Sequence, residues 1–216
     1  MAFKASAPHI LITSGPTAVP MDGMRIISNL STGEMGRLLA NAFALRKYRV
    51  TLLEGCGATT DIPLSEKVDH KEFFFYAELD LLLKKELCQP CDALIHAAAV
   101  SDFALSKPFN GKIPSGKPVM LKLVPTKKIV NAIKKMSPDI FLVGFKLETS
   151  LVKGSVAPKV SRLIREAGCD LVVANVIRRG RYMARLVDAS GRFYPQVDSK
   201  QDLVKALTAR VDQQFL

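Results

Sequence analysis

The chain has 216 residues, 48% hydrophobic and 24% charged, an ordinary balance for a globular core, and its length predicts one domain over residues 1–216. It holds no apolar run of about 18 residues, so no membrane span is expected, and its opening, Met1-Ala-Phe-Lys-Ala-Ser-Ala-Pro8, is too short and polar for a secretory signal. A cytoplasmic protein is therefore expected. The 31 Lys and Arg against 20 Asp and Glu give a net charge of +11, but the cations fall in scattered pairs such as Lys84-Lys85, Lys127-Lys128 and Lys134-Lys135, with no aromatic residues interleaved and no Trp. That pattern favours small anions over nucleic acid as partners.

Along the chain, apolar runs alternate with helical periodicity. His9–Thr13 reads as a buried strand running into the polar turn Ser14-Gly-Pro-Thr17. A second polar cluster, Ser31-Thr-Gly33, opens a helix over Glu34–Lys47, whose Met35, Leu38, Leu39, Ala42 and Phe43 share one face. Arg49–Leu53 is a second strand, followed by the loop Gly55-Cys-Gly57. A helix is predicted over Ala77–Leu87 and a third strand over Ala93–Ala98. Residues 104–118 are rich in Pro, Gly and Lys, lack periodicity, and are expected to form a flexible flap. Then come a strand at Val119–Leu123, a helix at Lys127–Met136, a strand at Ile140–Phe145, a helix at Val156–Ala167 and a strand at Asp170–Ala174. Met183–Val187 and Arg192–Tyr194 read as a hairpin around Ser190-Gly191, and Lys200–Phe215 as a closing helix.

Apolar strands alternating with helices predict an α/β protein: a Rossmann-like, doubly wound, mostly parallel sheet with helices on both faces. Ligands in such folds bind beyond the carboxyl ends of the strands. That rule places Thr13–Thr17, Gly55–Thr60, Ala98–Phe103, Lys146–Thr149 and Asn175 on one rim. Two polar, glycine-bearing turns beside one helix N-terminus form a candidate anion cradle, because backbone N–H groups and the helix dipole both favour phosphate there.

Other motifs are weaker. No G-x-G-x-x-G joins the first strand to the first helix, so an NAD(P)-dependent reductase is an alternative by fold analogy alone. Gly111-Lys-Ile-Pro-Ser-Gly-Lys117 nearly matches a P-loop, but Pro118 stands where Ser or Thr must hold the metal, and a strand follows. It reads either as a solvated loop or as a lid carrying a phosphate-contacting lysine. The three alanines of Ala97-Ala-Ala-Val-Ser-Asp102 leave room for a ligand or for helix packing, and Asp102 either faces that ligand or caps a turn. His96, inside a strand, reads as a core histidine rather than a base. Cys88-Gln-Pro-Cys91 follows a helix and precedes a strand, the reverse of a redox pair, and no second pair completes a zinc site. No metal ligands are assigned. A basic nucleotide- or RNA-binding module is the non-enzymatic alternative.

Several pieces fall in a recognisable order: Leu11-Ile-Thr-Ser-Gly-Pro-Thr17, Arg25-Ile-Ile-Ser-Asn-Leu-Ser-Thr-Gly-Glu-Met-Gly36, Val50-Thr-Leu-Leu53, Ala97-Ala-Ala-Val-Ser-Asp-Phe103, Gly111-Lys-Ile113, Leu142-Val-Gly-Phe-Lys-Leu-Glu-Thr149 and Val172-Val-Ala-Asn175. Together they resemble the phosphopantothenoylcysteine synthetase family over nearly the whole chain, most closely its stand-alone forms. The resemblance implies a ligase of coenzyme A biosynthesis that activates 4′-phosphopantothenate with CTP, or less readily ATP, with Mg²⁺. Pyrophosphate leaves, L-cysteine attacks the acyl-nucleotide, and a nucleoside monophosphate is released. It implies Asn29 as the contact to the reacting acyl group and Lys112 as the flap lysine. Gly15, Thr17, Ser31, Thr32, Gly33, Ala98, Ala99, Asp102 and Phe145 would line the nucleotide, Asn29 and Asn175 the substrate, and Arg25 would stand near a dimer contact. It further implies a homodimer, no FMN in this chain and a separate decarboxylase polypeptide. The sequence departs from the family pattern at Pro16, at Pro114-Ser115 in the flap, at Thr126-Lys-Lys-Ile129 in the segment lining the base, and at Val176.

Overall fold

The computed structural model describes residues 7–215; the hexapeptide on which most of the secretory-signal reading rests lies outside them. In chain order the elements are β1 (His9–Ser14), β2 (Ala18–Pro20), β3 (Ile26–Ser28), α1 (Glu34–Ala44), β4 (Arg49–Gly55), β5 (Val68–Phe73), α2 (Tyr76–Leu87), β6 (Ala93–His96), β7 (Phe103–Leu105), β8 (Leu123–Pro125), α3 (Val130–Met136), β9 (Phe141–Leu147), α4 (Lys153–Ala167), β10 (Leu171–Arg178), β11 (Arg181–Asp188) and α5 (Lys200–Phe215).

Seven strands form one sheet in the order β11-β10-β9-β6-β1-β4-β5, parallel throughout except where β11 runs back along β10. The chain runs outward from β1 to β4 and β5, then returns to the other side of β1 with β6. The strand order therefore reverses between β1 and β6, which is the position where open α/β sheets leave a crevice for ligands. Side-chain alternation explains the continuous apolar runs. Ile10 and Ile12 of β1 pack with Leu39 and Phe43 of α1 and Leu203 and Leu207 of α5. Leu11, between them, packs with Leu79 and Leu83 of α2, Ile133 of α3 and Val160 of α4. Each such buried side chain contributes about 1.5–3 kcal/mol of transfer free energy. A strand covered on both faces needs apolar residues at every position.

The structure differs from the sequence expectations at particular places. Helix α1 ends at Ala44 rather than Lys47, because Lys47 takes a left-handed turn, φ 65°, that stops it. Strand β5 has no counterpart among the predicted elements. Only its ends, Val68 and Phe73, are buried, and Asp69-His-Lys-Glu72 lie between them. It is an edge strand, and charge there blocks pairing with other chains while hiding the strand's periodicity. The strand expected at Val119–Leu123 forms instead at Leu123–Pro125, because those residues meet Phe103–Leu105, whereas Val119 and Met120 stay exposed. Helix α3 begins at Val130 and not at Lys127. Strand β10 runs on to Arg178 and turns directly into β11 through Arg179 and Gly180, whose φ values of 50° and 74° suit a type I′ hairpin. The expected turn at Ser190-Gly191 is also present: Val187 bridges to Phe193, and Tyr194 N–H donates to Leu186 O at 2.9 Å. No helix among the described residues is long and apolar enough to cross a membrane.

The first turn of α1 is pressed onto the end of β1. A Cβ on Gly36 would lie 2.1 Å from both Cβ and Oγ of Ser14, so no side chain fits there. Gly36→Ala should destabilise the fold by about 1–3 kcal/mol, the usual cost of overpacking. The check is the urea unfolding midpoint, which should fall with the m-value unchanged.

Candidate functional site

The site lies at the switch point, where the segment after β1 runs beside the segment after β6. Ala99 N–H donates to Gly15 O at 2.9 Å, and Thr17 N–H donates to Ala99 O at 3.2 Å. The Thr17 hydroxyl is wholly buried and is bonded to Ser101, which also donates its N–H to it at 2.9 Å. Thr17 therefore shapes the wall of the crevice and turns its side chain away from any ligand. Gly15, Ala98 and Ala99 supply backbone there.

Asn29 joins this group: its Nδ2 donates to Ala99 O at 2.8 Å, and the side chain is exposed on the rim. An amide carries two donors and an acceptor, so one N–H and Oδ1 stay available. Ser31 and Thr32 follow on the approach to α1, and Gly33 caps that helix in the left-handed region, φ 74°, with no side-chain cap. Within the first turn of α1, Glu34 N–H donates to Thr32 Oγ1 at 3.4 Å and Gly36 N–H to Gly33 O at 3.0 Å, at the positive end of the helix dipole. A buried ion pair fixes that helix end. Arg37 holds Glu54 at the end of β4 through Nε at 3.0 Å and Nη2 at 2.8 Å, and it reaches Ile62 O through Nη1 at 2.8 Å. His70 adds a contact to Glu54 at 3.2 Å. Dinucleotide-binding folds place a ribose-binding acid at the end of this second strand. Here Glu54 occupies that place but is sealed and paired, which weighs against the reductase reading.

Asp102 is exposed and paired with Lys128, and its carbonyl accepts from Thr126 N–H at 3.0 Å, so Thr126-Lys-Lys-Ile129 lines the same flank. Phe145 on β9 is half-buried and packs onto the α1–α5 side of the core. Asn175 on β10 is buried. Both sit towards the far end of the rim and share no hydrogen bond with the switch-point group. His96 is bonded to Thr13 through Nδ1 at 2.8 Å, and burial pushes its imidazole down to about 4, so it is neutral at neutral pH. The cysteines are free, and burial pushes the Cys91 thiol up to about 12, far from a reactive thiolate.

The flap is hooked. Residues 106–122 run between β7 and β8, with Lys112 exposed near their middle. Asp22, in the turn between β2 and β3, accepts from Ile113 N–H at 3.0 Å and from the N–H groups of Met24 and Arg25 at 2.8 and 2.7 Å. Arg25 Nη2 donates to Ile113 O at 2.7 Å, and Ile113 is buried. Gly23 N–H donates to Gly111 O at 3.1 Å. The residues on either side of Lys112 are thereby clamped to the same β2–β3 turn that leads into Asn29. The bonds from Ile113 and Met24 hold the Asp22 carboxyl below the usual carboxylate range. Asp22-Gly23 is legible as a turn, but its reach to a flap so distant in sequence carries no local signal.

This is a doubly wound α/β fold with a crevice at its switch point and a lysine-bearing flap. Residues 5–214 match the family described as the DNA/pantothenate metabolism flavoprotein C-terminal domain, and the chain belongs to that family. It is 37% identical over 172 residues to the coenzyme A biosynthesis bifunctional protein CoaBC of Thermococcus kodakarensis, covering 79% of this chain and 41% of that protein. The chain thus spans less than half the length of the bifunctional relatives it matches. Among solved structures, the DNA/pantothenate metabolism flavoprotein from Streptococcus pneumoniae superposes with a TM-score of 0.85 at 26% identity, covering 96% of this chain and all of that one. The Cab2 H337A mutant in complex with phosphopantothenate-cysteine shares the fold, with a TM-score of 0.78 at 21% identity, covering 95% of this chain and 87% of that one.

Asp22→Ala should release the flap. Amide exchange at Ile113 should quicken at least about tenfold, the scale of losing a hydrogen bond to a charged group. Because the native carboxyl is depressed, the hook is present at neutral pH and lost as pH falls through that lowered value. Exchange at Ile113, corrected for its intrinsic pH dependence, should therefore rise only in strong acid.

Proposed function

We propose that the protein is a phosphopantothenate–cysteine ligase of coenzyme A biosynthesis. What supports this reading is the position of the α1 N-terminus and the rim amide of Asn29 at the switch point, with a clamped flap that carries Lys112 exposed. Membership of the family supplies the substrates: 4′-phosphopantothenate, L-cysteine and a nucleoside triphosphate, with CTP expected ahead of ATP.

The chemistry needs no activated nucleophile in the protein. A carboxylate oxygen of 4′-phosphopantothenate attacks the α-phosphorus, and the bond to pyrophosphate breaks. The cysteine amine then attacks the acyl carbon, loses a proton and expels the nucleoside monophosphate. Negative charge builds on the α-phosphoryl oxygens in the first step, and Lys112, carried by the hooked flap, would stabilise it. The free N–H of Asn29 would orient the acyl oxygen, and the amides at the start of α1 would hold phosphate. Gly15, Ser31, Thr32, Gly33, Ala98, Ala99, Asp102 and Phe145 are read as the nucleotide side, and Asn175 as a substrate contact. Catalysis is then mainly positioning and electrostatics. Mg²⁺ is expected to arrive on the triphosphate. The carboxylate on this flank, Asp102, is already engaged by Lys128, which fits an ion held mostly by phosphate oxygens and water.

The exposed Met24, Ile26 and Leu30 beside the flap hook form an apolar surface that suits a second copy, which supports a homodimer. The reading treats residues 1–216 as one domain with a flap at about 104–118, working in the cytoplasm.

Pyrophosphate release should require 4′-phosphopantothenate together with CTP or ATP, and release with neither nucleotide would exclude the ligase. Lys112→Gln should lower turnover by at least about 10²-fold, as loss of a charge-stabilising donor does, with the melting temperature unchanged because Lys112 is exposed. Full activity in that variant would remove the lysine from the mechanism.

A further inference from the structure

A second basic cavity lies at the other end of the rim, of about 360 Å³, between the β9–α4 loop and the β10–β11 hairpin. Lys153, Arg178 and Arg185 line it with Ser150, and Val176 and Met183 give it an apolar floor. Pairing of Val176 with Met183 and of Ala174 with Arg185 puts these side chains on the face that α4 covers. Arg185 Nε is sealed from solvent and bonded to nothing, and no carboxylate pairs with Lys153, Arg178 or Arg185 among the described residues. The acids nearest along the chain are engaged elsewhere, Glu148 by Lys146 and Lys159 and Asp188 by Ser190 and Tyr194. Lys153 also stands in the first turn of α4, where no acidic residue offsets the helix dipole. A buried guanidinium donor without a partner is costly, and cations gathered at a helix N-terminus repel one another. An anion in the cavity relieves that repulsion, held by the outer nitrogens of Arg185 and not by its sealed Nε.

We propose that this cavity binds the phosphate end of a phosphorylated organic molecule. The Arg185 fork, with Arg178 and Lys153, would hold the phosphate oxygens, and the Val176–Met183 floor would take an apolar portion, since the volume exceeds what one phosphate fills. The phosphate could belong to 4′-phosphopantothenate or to another phosphomonoester. The inference stands whether or not the chain is the proposed ligase, and its test involves no turnover.

Calorimetric titration at fixed ionic strength compares inorganic phosphate, 4′-phosphopantothenate and pantothenate on the wild-type protein, Arg185→Met and Arg178→Gln. Arg185→Met should raise the Kd for inorganic phosphate at least about tenfold, the scale of losing a charge-assisted hydrogen bond. Arg178→Gln, at an exposed position that leaves folding intact, should raise it about threefold or more. An equal loss for 4′-phosphopantothenate, with pantothenate unaffected, supports the site and assigns it to the substrate's phosphate. Unchanged affinity for 4′-phosphopantothenate beside weakened phosphate supports it for another phosphomonoester. Phosphate affinity equal in wild type and both variants, or no phosphate binding to the wild type, overturns it.

Discussion

The close approach of the end of β1 to its neighbours is the constraint on which the rest depends. Ser14 sits against Gly36 of α1, and its hydroxyl donates to Gly33 O at 2.9 Å. On the other side, a Cβ on Gly55 would meet Pro16 O at 2.2 Å, so the ends of β1 and β4 also touch. Helix α1 can therefore begin directly over the strand ends, although its connection to β1 is a long excursion and not a tight phosphate-binding turn. The excursion is then free to form the β2–β3 hairpin, which carries Asn29 on one limb and the flap hook at its tip.

The same constraint separates two kinds of charge. Glu54 lies inside this contact, and a carboxylate buried there must be paired; Arg37 and His70 supply that pairing. Breaking the pair would cost more than its formation gains, so it works as a fixed strut between α1 and β4. The site cations behave oppositely. Lys112 projects from a clamped flap, and Arg185 and Arg178 stand on the last two strands without acids. Arg37 is thus neutralised inside the fold, whereas Lys112, Arg178 and Arg185 have no acidic partner among the described residues.

Most of the sheet was legible because the middles of strands covered on both faces are apolar, as Ile10–Ile12 and Leu171–Ala174 are. Strand β5 was not, since an edge strand can carry Asp69-His-Lys-Glu72 and still pair through its backbone. The strand expected over Val119–Leu123 forms at Leu123–Pro125, because pairing depends on a partner and not on local hydrophobicity. At the site, the glycine turns, the alanine turn and Asn29 fall together at the switch point, a placement that follows from topology. Thr17 was read as lining the nucleotide, yet its hydroxyl is turned into the wall by Ser101. Asp22 went unread because its meaning lies in Ile113, far along the chain. Arg185 went unread because an arginine within a strand signals nothing until its lack of a partner is seen.

The flap hook also bears on how Lys112 is positioned. A lysine on a loop open to water would spread its charge over many orientations, and ordering the loop on each binding event would cost conformational entropy. Here Ile113 is buried and its N–H and C=O are both held, by Asp22 and Arg25, so the residue next to Lys112 is fixed before any ligand arrives. What stays free is the lysine side chain and the Pro114–Pro118 half of the flap. The hook and Asn29 share the β2–β3 hairpin, so a displacement of that hairpin moves the flap lysine and the rim amide together.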